Sequence, residues 1–152
     1  GRGLSDEDEA RLLRAARTDV RFKTSGTGTQ FMIRAGSWLE ARGTPMRAVE
    51  LFEAYLATRY PGWTEPPGPT GADVPSAALP IAARLPITLM HAGREKEAAR
   101  AARRLRQRLP PHLRRSVVTD RLDQFVADME AGRVGPWRDA WGVLPTDVPL
   151  EG

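Results

Sequence analysis

Apolar residues recur at spacings of three and four along most of the chain, which is the pattern of amphipathic α-helices. For example, Phe31, Ala35, Trp38 and Leu39 fall on one helical face. The pattern predicts six helices, at about residues 5–23, 30–42, 45–60, 77–92, 94–109 and 112–131. We therefore predict an all-α fold.

The composition favours the same fold class. Alanine, leucine and arginine dominate, whereas the β-branched residues isoleucine, valine and threonine are comparatively few. Straight-chain residues lose little rotamer freedom in a helix, while β-branched residues lose more. With 152 residues, the chain is long enough to bury a substantial core as one domain.

Glycine and proline mark where the predicted helices end. Gly43, Gly93 and Gly132 each follow a helical pattern, and glycine readily adopts the left-handed conformation that closes a helix. Residues 24–29 are small and polar, so we expect a loop between the first two helices. Pro86 falls inside the fourth predicted helix, where it lacks an amide donor and clashes one turn back. We expect a kink or a split there.

We interpret the chain as a single helical domain, residues 1–152, with four consecutive parts. Residues 4–60 contain the first helices and a hairpin, and residues 61–75 form a connector. Residues 76–132 contain a second hairpin and a closing helix, and residues 133–152 form a tail. Proline and glycine are so frequent in the connector that it cannot form a regular element. It is therefore predicted to be a long surface link between the two hairpins.

The tail begins with two tryptophans one helical turn apart, Trp137 and Trp141, followed by Pro145 and Pro149. This order predicts a short helical turn and then an extended strap. We interpret the two indole rings as a hydrophobic latch onto the helices. The alternative interpretation is an exposed docking motif.

Several classes of chemistry find no support in the sequence. The chain has no cysteine, which excludes disulfides, thiolate zinc sites, thiol nucleophiles and iron–sulfur clusters. The only histidines, His91 and His112, are not at metal-ligand spacing. No apolar run reaches the length of about 18 residues that a membrane span requires. We expect a cytoplasmic protein without a membrane segment, metal site, cofactor or catalytic residue.

Positive charge is concentrated in one segment. Residues 94–115 contain nine arginines and lysines against two glutamates. Steps of three and four residues return to the same side of a helix, which predicts a basic face. The residues of this basic face are Arg100, Arg103, Arg104 and Arg108. Such a face suits nucleic-acid phosphate or an acidic protein, or it is simply solvated.

Two segments centred on Gly43 and Gly93 share a pattern that resembles the tetratricopeptide repeat. In the first segment the small eighth, small twentieth and aromatic twenty-fourth positions of that repeat are occupied by Gly36, Ala48 and Phe52. The repeat's closing proline is matched one residue late by Pro61.

The second segment follows the pattern less closely. Its matching residues are Leu85, Leu89, Gly93, Ala98 and Pro110. Pro86 stands where a small residue is usual, and Ala102 replaces the aromatic residue. The connector accounts for a separation between the two glycines that exceeds the usual repeat length. A different bundle of helical hairpins with the same capping glycines is the alternative.

The resemblance implies stacked antiparallel helical hairpins in which Gly36 and Ala48 face each other. It also implies a ligand groove along the first helix of each hairpin. The residues at the groove positions are Gln30, Ile33, Ser37 and Glu40 in the first hairpin, and Ala83, Ile87, Met90 and His91 in the second. We therefore expect a scaffold that binds a protein or peptide, not an enzyme. The alternative is a regulatory or nucleic-acid-associated domain that uses the basic face within residues 94–115.

Overall fold

The computed structural model of the chain describes residues 26–64 and 73–145, together with residues 7, 10, 11 and 14. Residues 26–64 and 73–145 contain five α-helices and no β-strand. The helices are α1 (Gly26–Ala41), α2 (Pro45–Arg59), α3 (Leu79–His91), α4 (Glu95–Arg106) and α5 (Ser116–Glu130). Three short 3-10 helices cover Pro61–Trp63, Pro111–Leu113 and Gly135–Trp137. The predicted all-α fold class is confirmed.

The first of the six predicted helices falls mostly outside the described residues. Glu7, Ala10, Arg11 and Arg14 are helical, and Arg11 Nη2 lies 3.5 Å from Glu7 Oε1. The other five predicted helices correspond to α1–α5, with ends that differ by a few residues.

Consecutive helices pack against one another in pairs, from α1 with α2 through to α4 with α5, and α1 also packs against α3. The α3 helix is central, and ten of its thirteen residues are buried. A helix that is apolar on all sides is expected to be covered on all sides. No comparable contact joins α3 to α5 within the described part of the chain.

The same turn ends α1, α3 and α5. Gly43, Gly93 and Gly132 have φ values of 90°, 76° and 76°, which glycine adopts without steric cost. The amide of Gly43 donates to Glu40 O at 3.0 Å, and that of Thr44 donates to Leu39 O at 2.9 Å. Equivalent pairs of hydrogen bonds follow α3 and α5. This is the Schellman arrangement, and it satisfies carbonyls that a helix end would leave unpaired.

The α1 helix begins earlier than predicted, since Gly26–Thr29 are helical and do not form a loop. The hydroxyl of Thr29 is buried, donates to Ala77 O at 2.7 Å and lies 2.7 Å from Tyr55 Oη. A threonine hydroxyl carries one hydrogen, so Tyr55 is the donor to Thr29. These contacts hold the first turn of α1 against α2 and the residues before α3. The rest of the predicted loop, residues 24–25, lies outside the described residues.

Two further predictions about the helices, a split at Pro86 and a start at residue 112, are corrected. The α3 helix runs from Leu79 to His91 without a split, although Pro86 lies inside it. The last helix does not begin at residue 112. Instead, the short helix Pro111–Leu113 comes first, and α5 is continuous from Ser116.

Each described end of the connector buries one residue against the helices. Trp63 is 1% exposed and Val74 is 2% exposed. The Val74 amide donates to Arg108 O at 2.9 Å. The prediction of a surface link is therefore wrong at these two positions. Residues 65–72 of the connector lie outside the described residues.

The closest approach of α1 and α2 involves a different pair from the one predicted. A Cβ atom on Gly36 would lie 2.1 Å from Phe52 Cζ, and its three nearest atoms all belong to the Phe52 ring. Ala48 is fully buried but is not the nearest neighbour of Gly36. Glycine at position 36 is therefore required by a bulky ring across the interface, not by a second small residue.

Candidate functional site

The tail returns across the helices, and Trp137 anchors its beginning to α5. The Trp137 ring packs edge-on against Phe125 with 5.0 Å between ring centroids, and it is 5% exposed. Its Nε1 donates to Asp128 Oδ2 at 2.8 Å. The latch interpretation is therefore correct for Trp137. Trp141, in contrast, is 42% exposed.

Beyond Trp137 the tail crosses α3, and its main chain makes most of the polar contacts. Arg84 Nη1 donates to Trp141 O at 2.7 Å and approaches Ala140 O at 3.4 Å. From α5, Arg121 Nη2 donates to Gly142 O at 3.2 Å. The Val143 amide donates to the α3 carbonyl Ala83 O at 3.0 Å. The tail thus fills the space between α3 and α5.

A polar cluster centred on Glu40 joins α1, α3 and the tail. Glu40 Oε2 accepts from Arg84 Nη2 at 2.8 Å and from the Thr88 hydroxyl at 3.3 Å. Glu40 Oε1 lies 2.8 Å from His91 Nδ1, and His91 Nε2 lies 3.0 Å from Arg138 O. Both partners of His91 are acceptors, so the imidazole makes both hydrogen bonds together when both of its nitrogens carry a proton. The groove residues Glu40 and His91 therefore contact each other, and His91 also contacts the tail.

In the predicted groove, the α1 residues and His91 are accessible beside the tail, whereas the apolar residues of α3 are not. Gln30 and Ser37 are exposed, and Ile33 is half-buried. Ile87 and Met90 are 0% and 6% exposed, so they offer no surface to a ligand in this conformation. Their burial follows from the central position of α3, which other elements cover on every side.

Ala83 lies directly beneath the tail, in the turn before Pro86. It is 1% exposed, and its carbonyl oxygen would lie 3.1 Å from a Cβ atom placed on Gly142. A proline has no N–H to donate to the carbonyl four residues earlier, here that of Ala82.

The four arginines of the predicted basic face do not share one exposed surface. Arg103 bonds to Glu130 at 2.5 Å, so an acid of α5 neutralises it. Arg104 is half-buried, with its guanidinium 5.6 Å from the centroid of Trp63. Arg108 is 5% exposed because α4 ends at Arg106 and the chain then turns inward. Its Nε donates to Gly62 O at 3.1 Å.

Arg100 is the exception among the four. It is exposed and makes no hydrogen bond or ion pair with the described residues. Of the side chains predicted to form the basic face, only Arg100 therefore presents its charge freely to solvent.

Arg84 and Arg121 contact the tail but were not predicted as site residues. A signal for Arg84 exists in the sequence, because it is the only arginine or lysine in the otherwise apolar α3. A charge in a buried helix needs a partner, and here its partners are Glu40 and the tail. Arg121 gives no such signal, because α5 is rich in charged residues.

Asp128 receives three hydrogen bonds, which makes the Trp137 anchor pH-dependent. The bond from Trp137 lowers the pKa of Asp128 below its ordinary value, burial opposes this shift, and Arg133 and Gln124 add to the lowering. A carboxylate with a lowered folded-state pKa stabilises the fold above its unfolded-state pKa of about 3.9. That stabilisation is lost as the pH falls through the folded-state value.

We therefore expect the urea midpoint of the wild-type chain to fall as the pH is lowered from about 6 to about 3, partly through Asp128. The Asp128→Asn variant should lose less between these two pH values than the wild type does. Asp120→Asn, at an exposed position of the same helix, is the matched control and should keep the wild-type dependence. Equal pH dependence of the Asp128 and Asp120 variants would contradict the assignment.

Among the described residues, no three His, Asp or Glu side chains are grouped so as to hold a metal ion. None of the helices in the described part of the chain is long and apolar enough to cross a membrane. No protein-family model, curated protein or solved structure matches the chain.

Proposed function

We propose that the chain is a protein-interaction module that binds a protein segment along the surface formed by α1, α3 and α5. The observation that carries the proposal is the tail itself. A segment of turns and bends already lies on this surface. Its carbonyls accept hydrogen bonds from Arg84 and Arg121, and its Val143 amide donates to Ala83 O. Hydrogen bonds to the main chain provide affinity that does not depend on the side chains of the bound segment.

The accessible part of the surface supports the same function. Gln30, Ile33 and Ser37 lie at three- and four-residue steps along α1 and lead to Glu40, at the edge of the tail. A ligand on this side of α1 would therefore run beside the tail or into its place. The resemblance to tetratricopeptide repeats leads to the same surface, since it assigns the groove to α1 and α3. The proposal assigns no catalytic step to this surface.

The alternative function, nucleic-acid binding through the basic face, has weaker support. Phosphate recognition requires several cations that are free to replace counterions. Arg103 is paired with an acid, and Arg108 is buried on backbone carbonyls. Arg104 stacks over Trp63. Arg100 alone is a weak basis for a phosphate-binding surface.

The proposal is tested by selecting peptides that bind the wild-type chain from a displayed random library. We expect their affinity to fall by about tenfold or more in Ser37→Arg, because a long charged side chain would occupy the open side of α1. Ala57→Arg introduces the same residue at an exposed position of α2 and is the matched control. Both substitutions are at exposed positions, so their stability should change by no more than about 0.5 kcal/mol. Selected peptides that bind both variants as tightly as wild type would contradict the proposal.

A further inference from the structure

Some residues of the tail contact the helices through their main chain, and others contact them through their side chains. Four carbonyls of the tail accept hydrogen bonds from side chains of α3 and α5, and one amide of the tail donates to α3. The carbonyls are those of Arg138, Ala140, Trp141 and Gly142, and the amide is that of Val143. The side chains of Arg138, Asp139 and Trp141 are exposed. The identity of these three residues therefore matters little to docking.

Three positions of the tail are selective. Gly142 passes so close to α3 that a Cβ atom would lie 3.1 Å from Ala83 O, a backbone atom that cannot rotate away. Val143 and Leu144 follow at once and are 0% and 5% exposed. The surface therefore accepts a residue without a side chain and then buries two aliphatic side chains.

The tail leaves part of the donor capacity of this surface unused. The Nε atoms of Arg84 and Arg121 are buried and have no hydrogen-bond partner among the described residues. Burial lowers the pKa of Arg121, as expected for a cation that is withdrawn from water. Buried donors without partners are costly, so a segment with a better-placed acceptor would gain free energy on replacing the tail.

We infer that the ligand of this surface is a protein segment of irregular conformation in which glycine is followed by two aliphatic residues. This segment takes the place of residues 142–144 of the tail, while Trp137 stays anchored on α5. The inference rests on the function proposed above and specifies its partner. The tail then acts as an internal competitor that the partner displaces.

Tethering makes the tail a strong competitor. A segment joined by a short linker has an effective concentration in the millimolar range, so a free segment with equal contacts binds the wild-type chain weakly. Weakening the tail at Gly142 should remove this competition. Gly142→Val does so directly, because it places a side chain against Ala83 O.

The probe is a fluorescently labelled synthetic peptide with the sequence of residues 138–145, titrated with the full-length chain and followed by anisotropy. We expect its Kd for Gly142→Val to be about tenfold or more below its Kd for wild type. The same peptide with valine in place of its glycine should bind Gly142→Val about tenfold or more weakly than the parent peptide. Equal binding of the two peptides, or no binding to a Gly142→Val chain that melts cooperatively, overturns the inference.

A second measurement uses the wild-type chain and does not depend on the variant folding. Hydrogen exchange of the Val143 amide reports opening of the tail, since this amide donates to Ala83 O. We expect it to exchange faster than the amide of Leu85, which lies in the middle of the buried α3. Exchange of both amides at the rate of global unfolding would show that the tail cannot leave the surface, which overturns the inference.

The two proposals fail in distinguishable ways. If selected peptides bind and are weakened by Ser37→Arg, but the peptide of residues 138–145 does not bind, the inferred ligand is wrong and the proposed function stands. If no selected peptide responds to Ser37→Arg, the proposed function itself is wrong.

Discussion

Replacement of Trp137 by alanine is expected to lower the free energy of unfolding by about 3–5 kcal/mol, the usual cost of removing a large buried aromatic side chain. The ring is 5% exposed and packs edge-on against Phe125, so its removal leaves a cavity beside α5. It also removes the donor to Asp128 Oδ2. Urea denaturation followed by circular dichroism gives the difference.

The chain contains a matched control for this prediction. Trp141 is the same residue type in the same tail, but it is 42% exposed, and its ring centroid is 6.0 Å from the Arg84 guanidinium. Trp141→Ala should therefore cost no more than about 1 kcal/mol, the range of an exposed cation–π contact. Trp137→Phe keeps an aromatic ring but removes the N–H, and it should cost about 1–3 kcal/mol. Similar losses for Trp137→Ala and Trp141→Ala would show that the anchor is misassigned.

The second large effect is expected at Gly36, where alanine should destabilise the chain although alanine is the better helix former. The exchange gains about 1 kcal/mol of helix propensity. The added Cβ would lie 2.1 Å from Phe52 Cζ, and the Phe52 ring is 1% exposed with little room to move. Overpacking against a ring with so little room should cost about 2–3 kcal/mol, the upper part of the usual range, so we expect a net loss of about 1–2 kcal/mol.

Two further variants test whether the loss at Gly36 is caused by the steric clash or by the replacement of glycine with alanine in general. Gly135→Ala adds the same methyl group at a glycine with no atom within 4 Å of the new Cβ, so its stability should stay within about 0.5 kcal/mol of wild type. Gly36→Ala should cost less free energy of unfolding in a Phe52→Leu background than in the wild type, because the shorter side chain leaves room for the methyl group. A Gly36→Ala variant as stable as wild type would contradict the close approach of α1 and α2.

Helix positions were predictable because their signals are local. A helix end depends on a few neighbouring residues, so Gly93 alone indicates where α3 stops and α4 follows. Pro61 and Pro110 likewise mark chain segments that cannot continue a helix. Local signals failed where a distant contact decides the conformation. Thr29 lies in a small-residue stretch that reads as a loop, yet Tyr55 and Ala77 hold it in the first turn of α1.

Predictions of the site depended on contacts between distant residues and were correspondingly incomplete. Glu40 and His91 were placed on one surface through the repeat resemblance, and the structure brings them within 2.8 Å of each other. The same resemblance places the groove on α3, but it contains no information about the tail, which comes from outside the matched segments. Arg108 was assigned to an exposed face by counting helical steps. The α4 helix ends before it, and Gly62 and Arg104 accept its hydrogen bonds instead.

The sequence by itself determined the fold class, the order of the helices and the glycine turns after α1, α3 and α5. Each of these follows from side-chain periodicity or from the backbone preferences of single residues, which act over a few positions of the chain. The tertiary structure alone decided that Gly36 faces Phe52, that Arg84 donates to Trp141 O, and that the tail covers α3. These contacts join residues far apart in sequence, and many compact arrangements share the same pattern of apolar positions. Only the packing of shapes and the pairing of buried polar groups select one arrangement among them.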